Sequence, residues 1–305
     1  MKVMKFGGTS VGSPARMKEV AKLITKSGEP TFVVLSAMSG TTNSLVEISN
    51  YLYKKNPDGA NEVINRLEEK YLQHIEELYS NDEYKTRTKD FLLSEFNLLR
   101  SYTKGMFTSF EEKIVVAQGE IMSTNMVNNY LQEQGVKSTL LDALSFMRTN
   151  KNSEPDPTYI KEHLASVLSQ CPGQQIYITQ GFICRNAYGE VSNLQRGGSD
   201  YTASLIGAAL PADEIQIWTD IDGMHNNDPR FVDHTTAVHQ LNFEEAAELA
   251  YFGAKILHPT CVQPAKYAGI PVRLKNTMEP DAEGTVINND LKRDAIKAVA
   301  ANNNT

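Results

Sequence analysis

Met1-Lys-Val-Met-Lys-Phe-Gly-Gly-Thr-Ser-Val-Gly12 opens the chain and decides how the rest of it is read. Val3, Met4 and Phe6 form a short apolar run, the pattern of a buried strand, with Lys5 at its end. Gly7-Gly8 then lets the backbone approach a ligand with no Cβ in the way. Thr9, Ser10 and Ser13 add hydroxyls, and Pro14 begins a helix whose apolar face is Met17, Val20, Ala21 and Ile24. Strand, paired glycines, hydroxyls and helix N-terminus together make a place for anionic phosphate oxygens. This is not a Walker loop, because G-x-x-x-x-G-K-[ST] is absent and the lysine precedes the glycines. By itself the stretch reads equally well as a tight strand–helix turn with a solvated lysine. The remaining turns decide between the two.

The 305 residues are enough to bury a large core, in one α/β domain or two lobes. Hydrophobic residues make up 41% and charged residues 22%, the balance of a soluble globular chain. A net charge of −7 argues against non-specific nucleic-acid binding, which depends on clustered cations. No apolar run has the length of a membrane span, and the first residues lack a signal-peptide core, so a cytoplasmic protein with no membrane partner is expected. Cys171, Cys184 and Cys261 are far apart and lack C-x-x-C spacing, which predicts free thiols. The histidines at 74, 163, 225, 234, 239 and 258 show no paired-ligand spacing, so no zinc site is expected.

A second strand–turn–helix unit follows the first. Residues 31–35 (TFVVL) run into Ser36-Ala-Met-Ser-Gly-Thr-Thr-Asn43, then a helix with Leu45, Ile48 and Leu52 on one face. Repeated βα units predict a parallel sheet. From 57 to 106 charge is dense and apolar residues fall at helical spacing (Val63, Leu67, Tyr71, Leu78, then Leu92, Phe96, Leu99). This reads as two helices with a break near Ser80-Asn81-Asp82, an insertion packed on the core without chemistry of its own. Residues 114–117 read as an apolar strand leading into Gln118-Gly-Glu120, with a helix over 121–131. Strands are further expected at 136–141, 175–182, 214–219, 271–274 and 284–287. Helices are expected at 159–168, after an Asp156 cap, at 201–210 and at 243–255. Asn186-Ala-Tyr-Gly189 reads as a hairpin turn. Gly, Ser, Thr and Asp gather where strands hand over to helices, and in open α/β sheets ligands bind at the carboxyl ends of strands.

Two Gly-Gly turns precede helices, one with Lys5 and one with Arg196, and both set cations and free N–H groups where phosphate or carboxylate oxygens would lie. Asp220 and Asp222 at a strand end, with Asp228 and Arg230 beyond, suit a nucleotide-phosphate and magnesium neighbourhood. Lys255 reads either as a further phosphate contact or as a lysine favoured by a helix C-terminus. Glu120 reads either as the partner of a substrate ammonium or as a glutamate at a helix start. No Ser–His–Asp or Cys–His set and no G-x-S-x-G elbow is present. Phosphoryl transfer to a carboxylate fits that absence. An acceptor with a pKa of about 4 is already ionised at neutral pH and needs no general base.

The same residues in the same order resemble the aspartate kinases of the wider amino-acid kinase family. The resemblance runs through Lys5-Phe-Gly-Gly-Thr-Ser-Val11, Ser36, Thr42-Asn43, Gln118-Gly-Glu120, Gln180-Gly-Phe182 and Arg196-Gly-Gly-Ser-Asp200. Thr219-Asp220, Asp228-Pro-Arg230 and Phe252-Gly-Ala-Lys-Ile-Leu-His-Pro259 complete it. It implies a three-layer αβα sandwich around a mostly parallel sheet of about eight strands. It also implies ATP-dependent phosphorylation of the L-aspartate side chain, the first step toward lysine, threonine and methionine, with magnesium carried mainly by the ATP phosphates rather than by protein ligands. Lys5 and Asp200 would be catalytic. Ser36, Thr42, Glu120, Phe182, Arg196, Gly197, Gly198 and Ser199 would surround aspartate, Glu120 on its ammonium and Arg196 on its α-carboxylate. Lys5, Gly7, Gly8, Thr9, Thr219, Asp220, His225, Arg230 and Lys255 would line the ATP site. His225 departs from the family pattern, which has an aromatic residue there.

The resemblance further implies a catalytic domain over 1–290, divided near residue 200 into an aspartate-binding lobe and a nucleotide-binding lobe, and a homo-oligomer. Residues 291–305 look like the lead into ACT-type regulatory domains that this chain does not contain. Two other readings stand beside this one. The first is another amino-acid kinase, acting on glutamate or N-acetylglutamate, although an acetylated amine would leave Glu120 no cation to hold. The second is a non-catalytic sensing module, which the presence of both Lys5 and Asp200 argues against.

Overall fold

The structure is a computed structural model that describes residues 1–194, 197–221, 223–227, 232, 234–252, 257–290 and 298. Its centre is β1 (Lys2–Phe6), paired in parallel with β2 (Thr31–Leu35) on one side and β7 (Glu214–Thr219) on the other. Outward from β2 come β4 (Ile176–Gln180) and β3 (Ser138–Leu141), and outward from β7 come β9 (Val272–Asn276), β10 (Thr285–Asn288) and β8 (Gln240–Asn242). All pairs are parallel except β9 with β10. A two-stranded antiparallel ribbon, β5 (Ile183–Arg185) and β6 (Val191–Asn193), turns at Asn186-Ala-Tyr-Gly189 as expected. The expected mostly parallel, eight-stranded sheet is what the chain forms.

Alternation along the strands sorts side chains into two cores, one on each face. Val3, Phe32, Val34, Ile215 and Ile217 belong to one core. Met4, Phe6, Val33, Leu35 and Trp218 belong to the other. The second core is covered by α1 (Pro14–Thr25), α2 (Thr41–Tyr53), α3 (Pro57–Leu78), α4 (Asp82–Ser101) and most of α5 (Ser109–Glu133). The first is covered by α6 (Pro157–Ser169), α7 (Gly198–Ala209), α8 (Phe243–Phe252) and α9 (Gln263–Ala268). Each large apolar side chain taken from water contributes roughly 1.5–3 kcal/mol, so these two layers are the main source of stability. Lys5 follows Val3 by two residues and therefore lies on the α7 face of β1.

Two expectations are corrected. Residues 114–117 are not a strand: α5 runs unbroken for 25 residues, opened by a capping box in which Thr108 and Glu111 exchange hydrogen bonds. Glu120 accordingly stands in mid-helix, not at a strand–helix junction. The edge strand β8 was not expected, its three residues having no recognisable pattern. The helical insertion forms as expected, α3 and α4 breaking at residues 79–81 with Asn81 as the cap of α4. Among the described residues no helix is long and apolar enough to cross a membrane. The expected C-terminal end of the helix at 243–255 and the residues 291–297 and 299–305 lie outside the described residues.

Candidate active site

The chain leaves β1 to build α1 and β2 on one side, and returns much later to place β7 on the other. That reversal opens a crevice at the carboxyl end of β1. The parallel ladder continues past the strand ends and fixes the loops against one another. Gly7 N donates to Trp218 O (3.3 Å), Ser36 N to Phe6 O (3.1 Å), Gly181 N to Leu35 O (2.9 Å) and Ser39 N to Gly8 O (3.1 Å). A Cβ on Gly8 would lie 2.8 Å from the Ala37 carbonyl oxygen, so the first glycine turn and the second loop pack too closely for any side chain there.

A cleft of about 290 Å³ lies between these loops, lined by Gly8, residues 36–40, Thr42, Glu120, Phe182, Gly198 and Ser199. The substrate-binding residues named from the sequence meet here: Ser36, Thr42, Glu120, Phe182, Gly198 and Ser199 come from four separate stretches of chain. Ser36 Oγ donates to Ser199 Oγ at 2.9 Å, and Ser123 Oγ on α5 donates to Ser36 O at 2.8 Å. Gly197, the N-cap of α7, is left-handed (φ 64°) and exposed, and the Cys261 thiol donates to its carbonyl at 3.4 Å.

Among the described residues that line this cleft, Glu120 is the one charged side chain. It is 5% exposed, with Oε1 accepting from Ala37 N at 3.2 Å and Oε2 without a hydrogen-bond partner. Burial pushes its carboxyl up from 4.5 to about 7, opposed by the Ala37 N–H and by its own backbone. A half-satisfied buried carboxylate is costly unless a cation completes it. Lys5, 8% exposed, places Nζ 2.8 Å from Asp200 Oδ1, in the first turn of α7.

The two helix starts on this cleft differ from those of the five capped helices, as does that of the short α9, which follows Val262 with no side-chain cap. α1, α3, α4, α5 and α6 each have a side-chain cap, from Ser13, Asn56, Asn81, Thr108 and Asp156. α2 and α7 open on the cleft with Gly40 and Gly197 at the N-cap and no side-chain cap. In α7, and in α2 after Thr41, whose N–H is taken by Met38 O, the N–H groups of the first turn are therefore available to an anion. Phe182 adds backbone strain at the same place, with φ at 68° in a region that bulky residues seldom occupy. It is held by Phe182 N donating to Thr202 Oγ1 (3.0 Å) and by Leu194 N donating to Phe182 O (2.8 Å).

The residues expected at the nucleotide follow the ends of β1 and β7. Gly7 and Gly8 are half-buried and Thr9 is exposed. Thr219 accepts from Ile221 N at its hydroxyl (3.0 Å) and from Thr277 N at its carbonyl (2.8 Å), with Asp220 exposed beside it. His225 lies in the loop after β7, with Nδ1 2.8 Å from Thr235 Oγ1. Arg196, Arg230 and Lys255, with Asp222 and Asp228, lie outside the described residues. Among the described residues no three His, Cys, Asp or Glu side chains come together to hold a metal ion. Sequence reasoning missed the backbone N–H of Ala37 and the role of residues 38–40 in lining the cleft. Gly40, the third glycine to precede a helix, was the available signal.

The chain resembles known proteins over nearly its whole length. The model of the amino acid kinase family matches residues 1–276. Aspartokinase 1, chloroplastic, of Arabidopsis thaliana is 37% identical over 97% of this chain and 53% of its own length. Lysine-sensitive aspartokinase 3 of Escherichia coli is 33% identical over 99% of this chain and 67% of its own. The chain thus spans about half to two thirds of the length of these relatives. Among solved structures, E. coli aspartokinase III in complex with aspartate and ADP superimposes with a TM-score of 0.85 at 33% identity, covering 96% of this chain and 65% of that one. The aspartate kinase of Clostridium acetobutylicum gives 0.80 at 25% identity, over 98% of this chain and 66% of that one. Together with the fold and the cleft, these matches establish that the chain belongs to the amino acid kinase family, as a catalytic domain of the aspartokinase type.

Proposed function

We propose that this chain transfers the γ-phosphoryl group of ATP to the side-chain carboxylate of L-aspartate, giving 4-phospho-L-aspartate and ADP. The observation that supports it best is Glu120, a buried carboxylate with one oxygen held by Ala37 N and the other unpartnered at a cleft of amino-acid size. An α-ammonium completes that carboxylate, whereas an acetylated amine would leave it uncompensated. Ser36, Thr42, Ser199 and the N-termini of α2 and α7 then surround the carboxylates, and Arg196 pairs with the α-carboxylate. The solved E. coli relative, seen with aspartate and ADP, supports the same choice of ligands.

In this reading the β-carboxylate, already ionised, forms the new bond to the γ-phosphorus as the bridge to the β-phosphate breaks, and ADP leaves with the electron pair. No proton needs to move. The barrier is repulsion between anions, and Lys5 answers it at the transferring group, oriented by Asp200. Gly7, Gly8 and Thr9 offer backbone and hydroxyl donors to the phosphates. Thr219, Asp220, His225, Arg230 and Lys255 line the remainder of the nucleotide site. Magnesium enters as part of the co-substrate, carried on its phosphates. Residues 1–200 supply the aspartate half and 201–290 the nucleotide half, in a homo-oligomer of the cytoplasm.

The deciding experiment is an ATP-dependent hydroxamate assay on the purified chain with L-aspartate, L-glutamate and N-acetyl-L-glutamate. Aspartate alone is expected to give product at high rate. Product from N-acetylglutamate in preference to aspartate would overturn the assignment, and so would none from any of the three.

A further inference from the structure

We propose that Tyr71, in the helical insertion, is a positioning residue for the amino-acid pocket, holding residues 36–42 in place through Thr41. The proposal rests on the reading of the cleft given above, and it assigns work to a segment that the sequence marked as packing alone.

Tyr71 and Thr41 are both fully buried, with Tyr71 Oη 3.0 Å from Thr41 Oγ1. A tyrosine in a helix–helix core gains nothing over phenylalanine unless its hydroxyl is matched, and here the match is one residue. Burial also raises the phenol above its ordinary range, so it stays protonated and available for that bond. Thr41 is the first residue of α2, directly after Gly40, and its own N–H donates to Met38 O at 2.9 Å. The N-cap of α2 has no side-chain cap, so its first turn depends on outside contacts for its position.

The neighbouring residue makes a second contact with the same loop. Lys70 Nζ donates to Ser39 O at 3.2 Å. α3 therefore grips residues 36–42 at two points, one buried and one exposed. Those residues supply Ser36, Thr42 and the Ala37 N–H, the hydrogen-bond donor to Glu120 Oε1. On the opposite side the Thr41 methyl packs toward α5 at Gly119, 3.5 Å from where a Cβ there would stand, and a Cβ at Gly119 would lie 2.7 Å from that of Ala37. Loop and helix are in closest packing beside Glu120. A small displacement of Thr41 therefore shifts Ala37 N relative to the carboxylate, and with it the aim of the unpartnered Oε2. Tyr71 does not line the cleft; it acts through Thr41.

The test uses Tyr71→Phe in the full chain. The ring keeps its edge-on packing against Phe96 (centroids 5.8 Å apart, 71°), so only the hydroxyl is lost. KM for aspartate is expected to rise about tenfold, the size of one lost buried hydrogen bond, with KM for ATP within twofold of wild type. Thr41→Val should reproduce the effect, and the double variant should be no worse than the worse single, because both remove one interaction. Amide hydrogen exchange over residues 36–42 should quicken in each variant without a matching change across the β-sheet. An equal rise in both KM values, additive effects in the double variant, or unchanged exchange over 36–42 would overturn the proposal. The exchange measurement stands even if the chain proves to act on another amino acid, so failure of the positioning role is separable from failure of the substrate assignment.

Discussion

Lys5 Nζ lies 2.8 Å from Asp200 Oδ1, joining the end of the central strand to the first turn of α7 at the point where the sheet reverses its order. The ion pair is nearly buried on both sides, so each charge is aimed by the other before any ligand arrives. In the proposed reaction, that geometry would let one lysine meet a phosphoryl group without reorganising.

Lys5→Met is accordingly expected to lower kcat by two to three orders of magnitude, roughly the loss of one preorganised charge of about 3–4 kcal/mol. The KM for aspartate should change little, since other residues are proposed to hold its ammonium and α-carboxylate. Steady-state kinetics with the hydroxamate assay check it. A variant keeping more than about a tenth of wild-type kcat would remove Lys5 from its proposed role.

Glu120 carries a pH signature whose sign can be worked out. Its carboxyl rises from 4.5 to about 7 on folding, so between those values the folded chain holds a proton that the unfolded chain has released. Stability from this group is therefore present at low pH and is lost as pH rises through 7, on the order of 3 kcal/mol in the ligand-free protein. Glu120→Gln should melt higher than wild type at pH 8 and close to it at pH 5, while losing affinity for aspartate. In the wild type, KM for aspartate should climb as pH falls below 7. Thermal melts at the two pH values, with a KM profile, decide; a Gln variant that melts lower at pH 8 would contradict the assignment of strain to this carboxylate.

Gly198→Ala sets two effects against each other. Alanine is the better helix former by about 1 kcal/mol, and Gly198 is the first residue of α7. A Cβ there would, however, stand 2.5 Å from Phe182 Cδ2 and 3.1 Å from Phe182 Cα, on a backbone already strained and pinned. Overpacking of this kind costs roughly 1–3 kcal/mol, so the clash should win. The expected outcome is a lower Tm together with a higher KM for aspartate. A variant more stable than wild type would show that Phe182 yields freely.

Asp156 tests the scaffold apart from the chemistry. Its carboxylate accepts from Tyr159 N at 3.1 Å as the cap of α6 and pairs with Arg148 at 2.7 Å. The Arg148 hydrogen bond, then the Tyr159 N–H, hold its pKa below 3.8, so its contribution is full above that value and fades as pH falls. Asp156→Ala should cost about 1 kcal/mol near neutral pH, the usual worth of a cap, and less at pH 3. Urea unfolding at both pH values measures it. Equal losses at the two would mean that lost packing, not charge and capping, sets the effect.

Much of the scaffold was legible because it rests on short-range physics. The run before Gly7 is a strand, Pro14 and Pro157 start helices, and the 3.6-residue spacing of Val63, Leu67, Tyr71 and Leu78 puts all four in the core of one amphipathic helix. Residues 114–117 misled because a short apolar run rich in β-branched residues has no period of its own. The T-x-x-E box at Thr108–Glu111 was the local sign that a helix had already begun.

The sequence by itself determined the strand–turn–helix units, the identity of the residues at strand ends and, through their order, the family. Those follow from backbone propensity, capping and side-chain alternation, each fixed within a few residues. Only the tertiary structure decided which of those ends face one another. Parallel pairing of β1 with β2 and β7 brings Ser36 to Ser199 and Lys5 to Asp200 across most of the chain, and no local pattern encodes a register between distant strands. The same holds for Glu120 and Tyr71. One became a half-satisfied buried carboxylate and the other a buried phenol on Thr41 because packing removed water from around them, and burial is a property of the assembled fold.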